Sequence, residues 1–139
     1  MQAQLLLADS AQVVNGKMYV LGGGWNQIGP KPSAMAVVIR FVVPWDETNK
    51  KHQWVLRLLD EDGRSVILGN AENARPIEVK GQFEAGRPVG SEPGSDTSIP
   101  IAVNIGSLPL PAGKRLEWRL FVDEETQDGW REPFRVRSE

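Results

Sequence analysis

The sequence has no cysteine and a single histidine, His52. Without cysteine there is neither a disulfide framework nor a thiolate metal site. One imidazole falls short of the two or three that a histidine-built metal centre uses. No Gly-x-Ser-x-Gly elbow occurs to give that imidazole a nucleophile. Long apolar runs are missing too: nothing approaches the ~20 residues that span a bilayer. The opening Leu5-Leu6-Leu7-Ala8 is too short for a signal-peptide core and lacks a basic leader. Nor is there a surplus of positive charge. The net charge is −2, with 16 basic and 18 acidic residues interspersed, so no linear stripe is set to neutralise phosphates. These absences lead us to expect neither enzyme nor cofactor, no nucleic-acid or membrane partner, and a reducing, cytoplasmic setting.

What is present has a period of two. Leu116, Trp118, Leu120 and Val122 alternate with Glu117, Arg119, Phe121 and Asp123, and Ile99, Ile101, Val103 and Ile105 repeat the pattern. One-sided alternation marks antiparallel strands with a wet face. Pro100 cannot donate to a ladder, so its strand is expected to lie at an edge or to begin there. Met35–Val43 is apolar on both parities except at Arg40 and reads as a central strand covered twice. Further strands are expected at Ala11–Val14, Lys17–Leu21, His52–Leu59, Arg64–Leu68, Ile77–Phe83 and Glu132–Arg137.

The turns agree. Asn15-Gly16 between two apolar runs signals a tight hairpin, because its turn needs positive φ twice. Asp62-Gly63 and Asp128-Gly129 punctuate later boundaries, and 14 glycines with 10 prolines leave no interval for a long helix. The expectation is an all-β, antiparallel two-sheet sandwich, immunoglobulin-like or jelly-roll-like, of about nine strands. The 139 residues suit one domain, 1–139. The longest loops are Gly86–Asp96 and Gly22–Ser33.

Strict up-and-down alternation would gather Gly22–Ser33, Asp60–Gly63, Gly86–Asp96 and Asp123–Gly129 at one acidic pole. The turn after Val14, Pro44–Lys51, Asn70–Arg75 and Pro109–Gly113 would form the other. Asp60, Asp62, Asp123 and Glu125 are then the candidate ligands for calcium, which takes six to eight oxygens. The same acids are also explained as turn formers that keep their loops soluble. Gly22-Gly23-Gly24 lacks the lysine and the following helix of a phosphate loop and reads as a bend. His52 is expected to open a strand at the surface.

Five tryptophans are the most informative feature. Trp54 and Trp118 belong to alternating strands and to the core. Trp25, Trp45 and Trp130 fall at strand ends, where an indole can be half wet. With Asn26 they are the candidate partner-binding residues.

Several stretches together resemble a known family. They are Leu7-Ala8-Asp9-Ser10-Ala11-Gln12 leading to Asn15-Gly16-Lys17, Gly22-Gly23-Gly24-Trp25, Pro44-Trp45-Asp46-Glu47-Thr48-Asn49, Gly86-Arg87-Pro88, and Leu110-Pro111-Ala112-Gly113 through Trp118-Arg119. The chain resembles a family of short, stand-alone bacterial β-sandwich proteins of unknown function. The resemblance implies the fold and a bacterial cytoplasmic setting and transfers no catalytic residue. The last two strands are more loosely similar to the closing hairpin of immunoglobulin-like domains.

The function expected is a non-enzymatic protein-binding or assembly module, acting through a loop pole or a sheet edge, with a homodimer as one form. The alternatives are a sandwich taking calcium or carbohydrate at the acidic pole, and a decoration protein of a virus-like particle.

Overall fold

The computed structural model describes residues 1–30 and 34–138, so the last part of the Gly22–Ser33 loop lies outside the described residues. The molecule is all-β. Its strands are β1 (Gln2–Val14), β2 (Lys17–Gly23), β3 (Gln27–Ile28), β4 (Met35–Val43), β5 (Lys51–Leu59), β6 (Ile67–Leu68), β7 (Arg75–Pro76), β8 (Glu78–Glu84), β9 (Thr97–Ile105), β10 (Arg115–Val122) and β11 (Arg131–Val136). The one helical element described is a 3₁₀ turn at Trp45–Glu47. No described helix is long and apolar enough to cross a membrane.

Two main sheets carry the fold, in the orders β2-β1-β4-β9 and β3-β11-β10-β5-β8, with a small β6-β7 ribbon. All pairings are antiparallel except β11 with β3. The eleven strands exceed the nine expected because β3 and β7, two residues each, carry no periodic signal. The first strand is also far longer than Ala11–Val14. Leu5-Leu6-Leu7-Ala8 forms part of the half of β1 that pairs with β4. Pro100 does lie on an edge strand, β9.

Alternation fills the space between the sheets. Leu7, Met35, Val37, Ile39, Phe41, Val43 and Val103 from the first sheet meet Trp54, Leu56, Leu58, Leu116, Trp118, Leu120, Phe134 and Val136 from the second. β4 is covered on both faces, as its composition demands. Ala36 and Val38, pointing away from the main core, are buried in a second cluster with Ala8 and Ala11, against which Met18, Val20 and Ala102 pack.

That second cluster explains the course of the β1–β2 hairpin. Ala8 and Ala11 are three residues apart yet share the cluster, so β1 changes face between them. Opposite the change, Gly22 takes φ +62° beside the Asp9 side chain, which leaves no room for a Cβ. Asn104 of β9 then clasps the displaced strand: its Oδ1 accepts from the Ala11 N–H at 3.2 Å and its Nδ2 donates to the Ala11 carbonyl at 2.8 Å. At the hairpin tip, Asn15 and Gly16 have φ of 51° and 72°, the paired positive values a two-residue turn needs.

Candidate functional site

The expected acidic pole is not formed. In the register of β5 with β10, Leu59 faces Glu117 and Trp54 faces Val122, so Asp60 and Asp123 leave opposite ends of the sheet. Asp123 stands beside Gln53, seven residues along the strand from Asp60, or about 23 Å at 3.3 Å per residue. The reason is Arg64–Leu68, which was expected to be a full strand. Only Ile67–Leu68 is a strand, paired within the β6–β7 ribbon; Ser65 makes a single bridge to Leu59, and the ribbon stays beside Leu58, whose N–H donates to the Ile77 carbonyl and whose carbonyl accepts from Val66. Counted without that traverse, Pro44–Lys51 joins Gly86–Asp96 and Asp123–Gly129 at one end, and Asp60–Gly63 joins Pro109–Gly113 at the other.

Asp60 and Asp123 also have local work. The Asp60 carboxylate accepts from the N–H groups of Asp62 at 2.9 Å and Arg64 at 3.0 Å, closing its own turn. Asp123 and Glu124 have φ of 50° and 70° and form the two central residues of a tight turn closed by paired bonds between Val122 and Glu125. The four candidate ligands Asp60, Asp62, Asp123 and Glu125 therefore do not converge, and no group of three His, Asp or Glu able to hold a metal occurs among the described residues.

Asp123 instead meets His52, which is buried and not a surface residue as expected. The ring packs on Phe83 at 5.4 Å between centroids. Nδ1 lies 2.7 Å from an Asp123 carboxylate oxygen and Nε2 lies 2.8 Å from the Glu47 carbonyl. Both neighbours accept only, so the doubly protonated ring alone satisfies both. Burial opposes that charge. The bond to the Glu47 carbonyl, then the bond to Asp123 and the nearby negative charges, outweigh burial and raise the imidazole pKa above its ordinary 6.5. For Asp123 burial acts upward, but bonds from His52 and the Gln53 N–H hold the carboxyl below its usual value. With both nitrogens occupied, the pair is built as a clasp joining the 3₁₀ turn, β5 and the β10–β11 loop.

The clasp has a pH signature. A raised histidine pKa stabilises fully below the unfolded value and is lost as pH rises through the folded pKa. The depressed Asp123 pKa stabilises above its unfolded value and is lost as pH falls through the folded one. We expect the stability gap between the wild type and His52→Gln to be widest between about pH 4.5 and 6.5 and to narrow above neutrality. Thermal melts across pH check this, and a gap that widens toward alkaline pH would contradict it.

The tryptophans divide differently from expectation. Trp130 is buried in the main core and is not half wet, because its backbone joins the β10–β11 ladder through Leu120 N–H to Trp130 O at 2.8 Å. Trp25 is half-buried, edge-on to Phe134 at 6.4 Å, with its Nε1 shielded. Trp45 is half-buried beneath Arg87, whose guanidinium carbon sits 3.7 Å from the ring centroid while its nitrogens donate to Thr48 Oγ1 and the Trp45 carbonyl. Asn26 is exposed, and its carbonyl accepts from the Arg135 N–H at 2.8 Å. These four residues do not form one patch.

Apart from the isolated Ile67 and Val89, the large exposed apolar side chains lie elsewhere, on the β1–β2 hairpin. Leu21 is 69% exposed and Tyr19 51%, and Leu6, Val13 and Val14 are also exposed. Tyr19 and Leu21, with Ser10 and Gln12, border an open hollow of ≈ 430 Å³. The sequence carried a signal for this: Met18-Tyr19-Val20-Leu21 is apolar on both parities, like β4. One parity, Met18 and Val20, covers the second cluster, and the other is left in solvent.

β2 is also a free edge. Because Ala11 spends its N–H and C=O on Asn104, the facing pair Ala11–Val20 is a non-hydrogen-bonded one. Tyr19 and Leu21 therefore bond inward to β1, and Met18 and Val20 turn their backbone groups outward. Other edges are blunted in the usual ways. β9 contains Pro100, β8 carries Glu78, Lys80 and Glu84, and β3 is two residues long. β2 has seven residues and one charge, Lys17, at its start.

Residues 3–137 match the family described as a family of unknown function, DUF6941. The chain belongs to that family. No curated protein and no solved structure matches it.

Proposed function

We propose that this member of the DUF6941 family is a non-enzymatic assembly module that binds a second copy of itself through the β2 edge. A cytoplasmic setting suits a chain without cysteine. The observation that carries the reading is the coincidence on β2 of unpaired backbone groups with exposed Tyr19 and Leu21. A long, apolar, uncharged edge is a pairing template, and soluble proteins protect such edges unless they are used. Two β2 strands meeting antiparallel about a two-fold axis would satisfy the outward groups of Met18 and Val20 and join the two four-stranded sheets. Self-pairing also places each Tyr19–Leu21 stripe beside its own copy, which removes both from water.

Light scattering is expected to give a mass of twice 15.4 kDa. Leu21→Lys with Tyr19→Glu removes the apolar stripe, and Val20→Pro removes one outward N–H. Either change should yield monomers, and the first should do so with the melting temperature of an isolated wild-type chain, since both side chains are exposed. A wild type that stays monomeric at high concentration, or a dimer that survives both changes, would overturn the proposal.

A further inference from the structure

Away from that edge, the outer face of the five-stranded sheet brings together arginines that are scattered in the sequence. Arg115 lies directly opposite Arg135, and Arg119 directly opposite both Arg131 and Arg57. Like charges facing each other across strands are destabilising. Part of the array is offset internally: Arg119 pairs with Glu117 at 2.9 Å and Arg57 with Glu78 at 3.5 Å. Among the described residues Arg115 and Arg135 have no ion-pair partner, and both are exposed.

These two arginines border an open hollow of ≈ 320 Å³ together with Asn26, Gln27, Pro133 and Phe134. The parallel pairing of β3 with β11 sets Gln27 against Arg135, and the bond from the Arg135 N–H to the Asn26 carbonyl fixes the spacing of the two strands. The hollow thus offers two guanidinium forks and two side-chain amides, and none of its lining residues is an acid. The adjoining hollow, which both arginines also border, holds three acids: Asp60 accepts from the N–H groups of its own turn, Glu117 pairs with Arg119, and Glu61 makes no ion pair with either Arg115 or Arg135.

We propose that Arg115 and Arg135, with Asn26 and Gln27, form a site for a phosphate monoester dianion. Two unpaired cations match a group that carries −1.5 to −2 at neutral pH and has three terminal oxygens. One guanidinium fork already saturates a carboxylate in bidentate fashion, whereas two forks and two amides suit the larger acceptor set. The dianion also offsets the repulsion built into the cross-strand pair, so the bare protein bears a cost that the ligand removes. The site lies on the opposite sheet from β2 and does not depend on self-association.

Thermal melts and titration with inorganic phosphate, a phosphoserine peptide and its unphosphorylated form test this at matched ionic strength. Inorganic phosphate is expected to raise the melting temperature of the wild type and not that of R115Q/R135Q, whose affinity should fall by about tenfold or more. A further gain from the phosphoserine peptide would assign the phosphate to a protein partner, and equal affinity would assign it to a free ion or small metabolite. R135E converts the facing pair into an ion pair, so it should raise the melting temperature while abolishing phosphate binding, a combination that a purely structural arginine would not give. Equal phosphate shifts in wild type and R115Q/R135Q, or tighter binding of succinate than of phosphate, would overturn the assignment.

Discussion

Trp118→Ala is expected to cost about 3–5 kcal/mol of folding stability, the range for deleting a fully buried large aromatic. Trp118 is completely inaccessible at the centre of β10, the strand between β11 and β5. Its neighbours in the core come from both sheets, so the space left by the indole cannot close by moving one strand. The loss should lower the melting temperature by more than ~10 °C in a domain of this size. One feature separates packing from polarity at this position: the Trp118 Nε1 is buried without a hydrogen-bond partner. Trp118→Phe gives up some volume but also removes that unsatisfied donor, and should cost no more than about 1.5 kcal/mol. Urea unfolding of the two variants measures both. A phenylalanine as damaging as alanine would mean that the indole N–H has a partner in solution.

Gly81→Val is expected to destabilise by about 1–3 kcal/mol or more, through overpacking. Strand propensity by itself predicts the opposite sign, since valine favours strands and glycine weakens them. Gly81 stands directly opposite Trp54 in the β5–β8 pairing. The indole lies across the glycine, and a Cβ there would fall on its Cζ2, Cε2 and Nε1 atoms. Trp54 is itself in the main core, so it has no free rotamer to yield into. Chemical unfolding of Gly81→Val, and of Gly81→Ala as the smaller step, gives the sign directly. A gain in stability would show that the ring can leave its place at low cost. Both core variants should fail by unfolding, whereas the β2 variants should lose only association, so stability and mass measured together distinguish core from interface.

The local features were legible because they depend on near neighbours in the chain. The Asn15-Gly16 turn, the double covering of Met35–Val43 and the burial of Trp54 and Trp118 follow from turn chemistry and side-chain parity. His52 was misplaced because its burial depends on Asp123 and the Glu47 carbonyl, partners that no periodicity around residue 52 reveals. Trp130 was misplaced for a similar reason: flanking polar residues suggested a wet end, but the β10–β11 ladder draws its indole inward.

The sequence by itself determined the class of the fold and the inward set of each long strand, since a period of two leaves one face to be buried whichever strands become neighbours. Only the tertiary structure decided which ends of the strands meet, and with that the dispersal of the acids, the exposure of Tyr19 and Leu21 on an open edge, and the gathering of Arg115 and Arg135. Those depend on whether a short segment such as Arg64–Leu68 crosses the molecule, and on the register between strands far apart in the chain. Both are set by the summed packing of the whole core, which no single stretch of residues encodes.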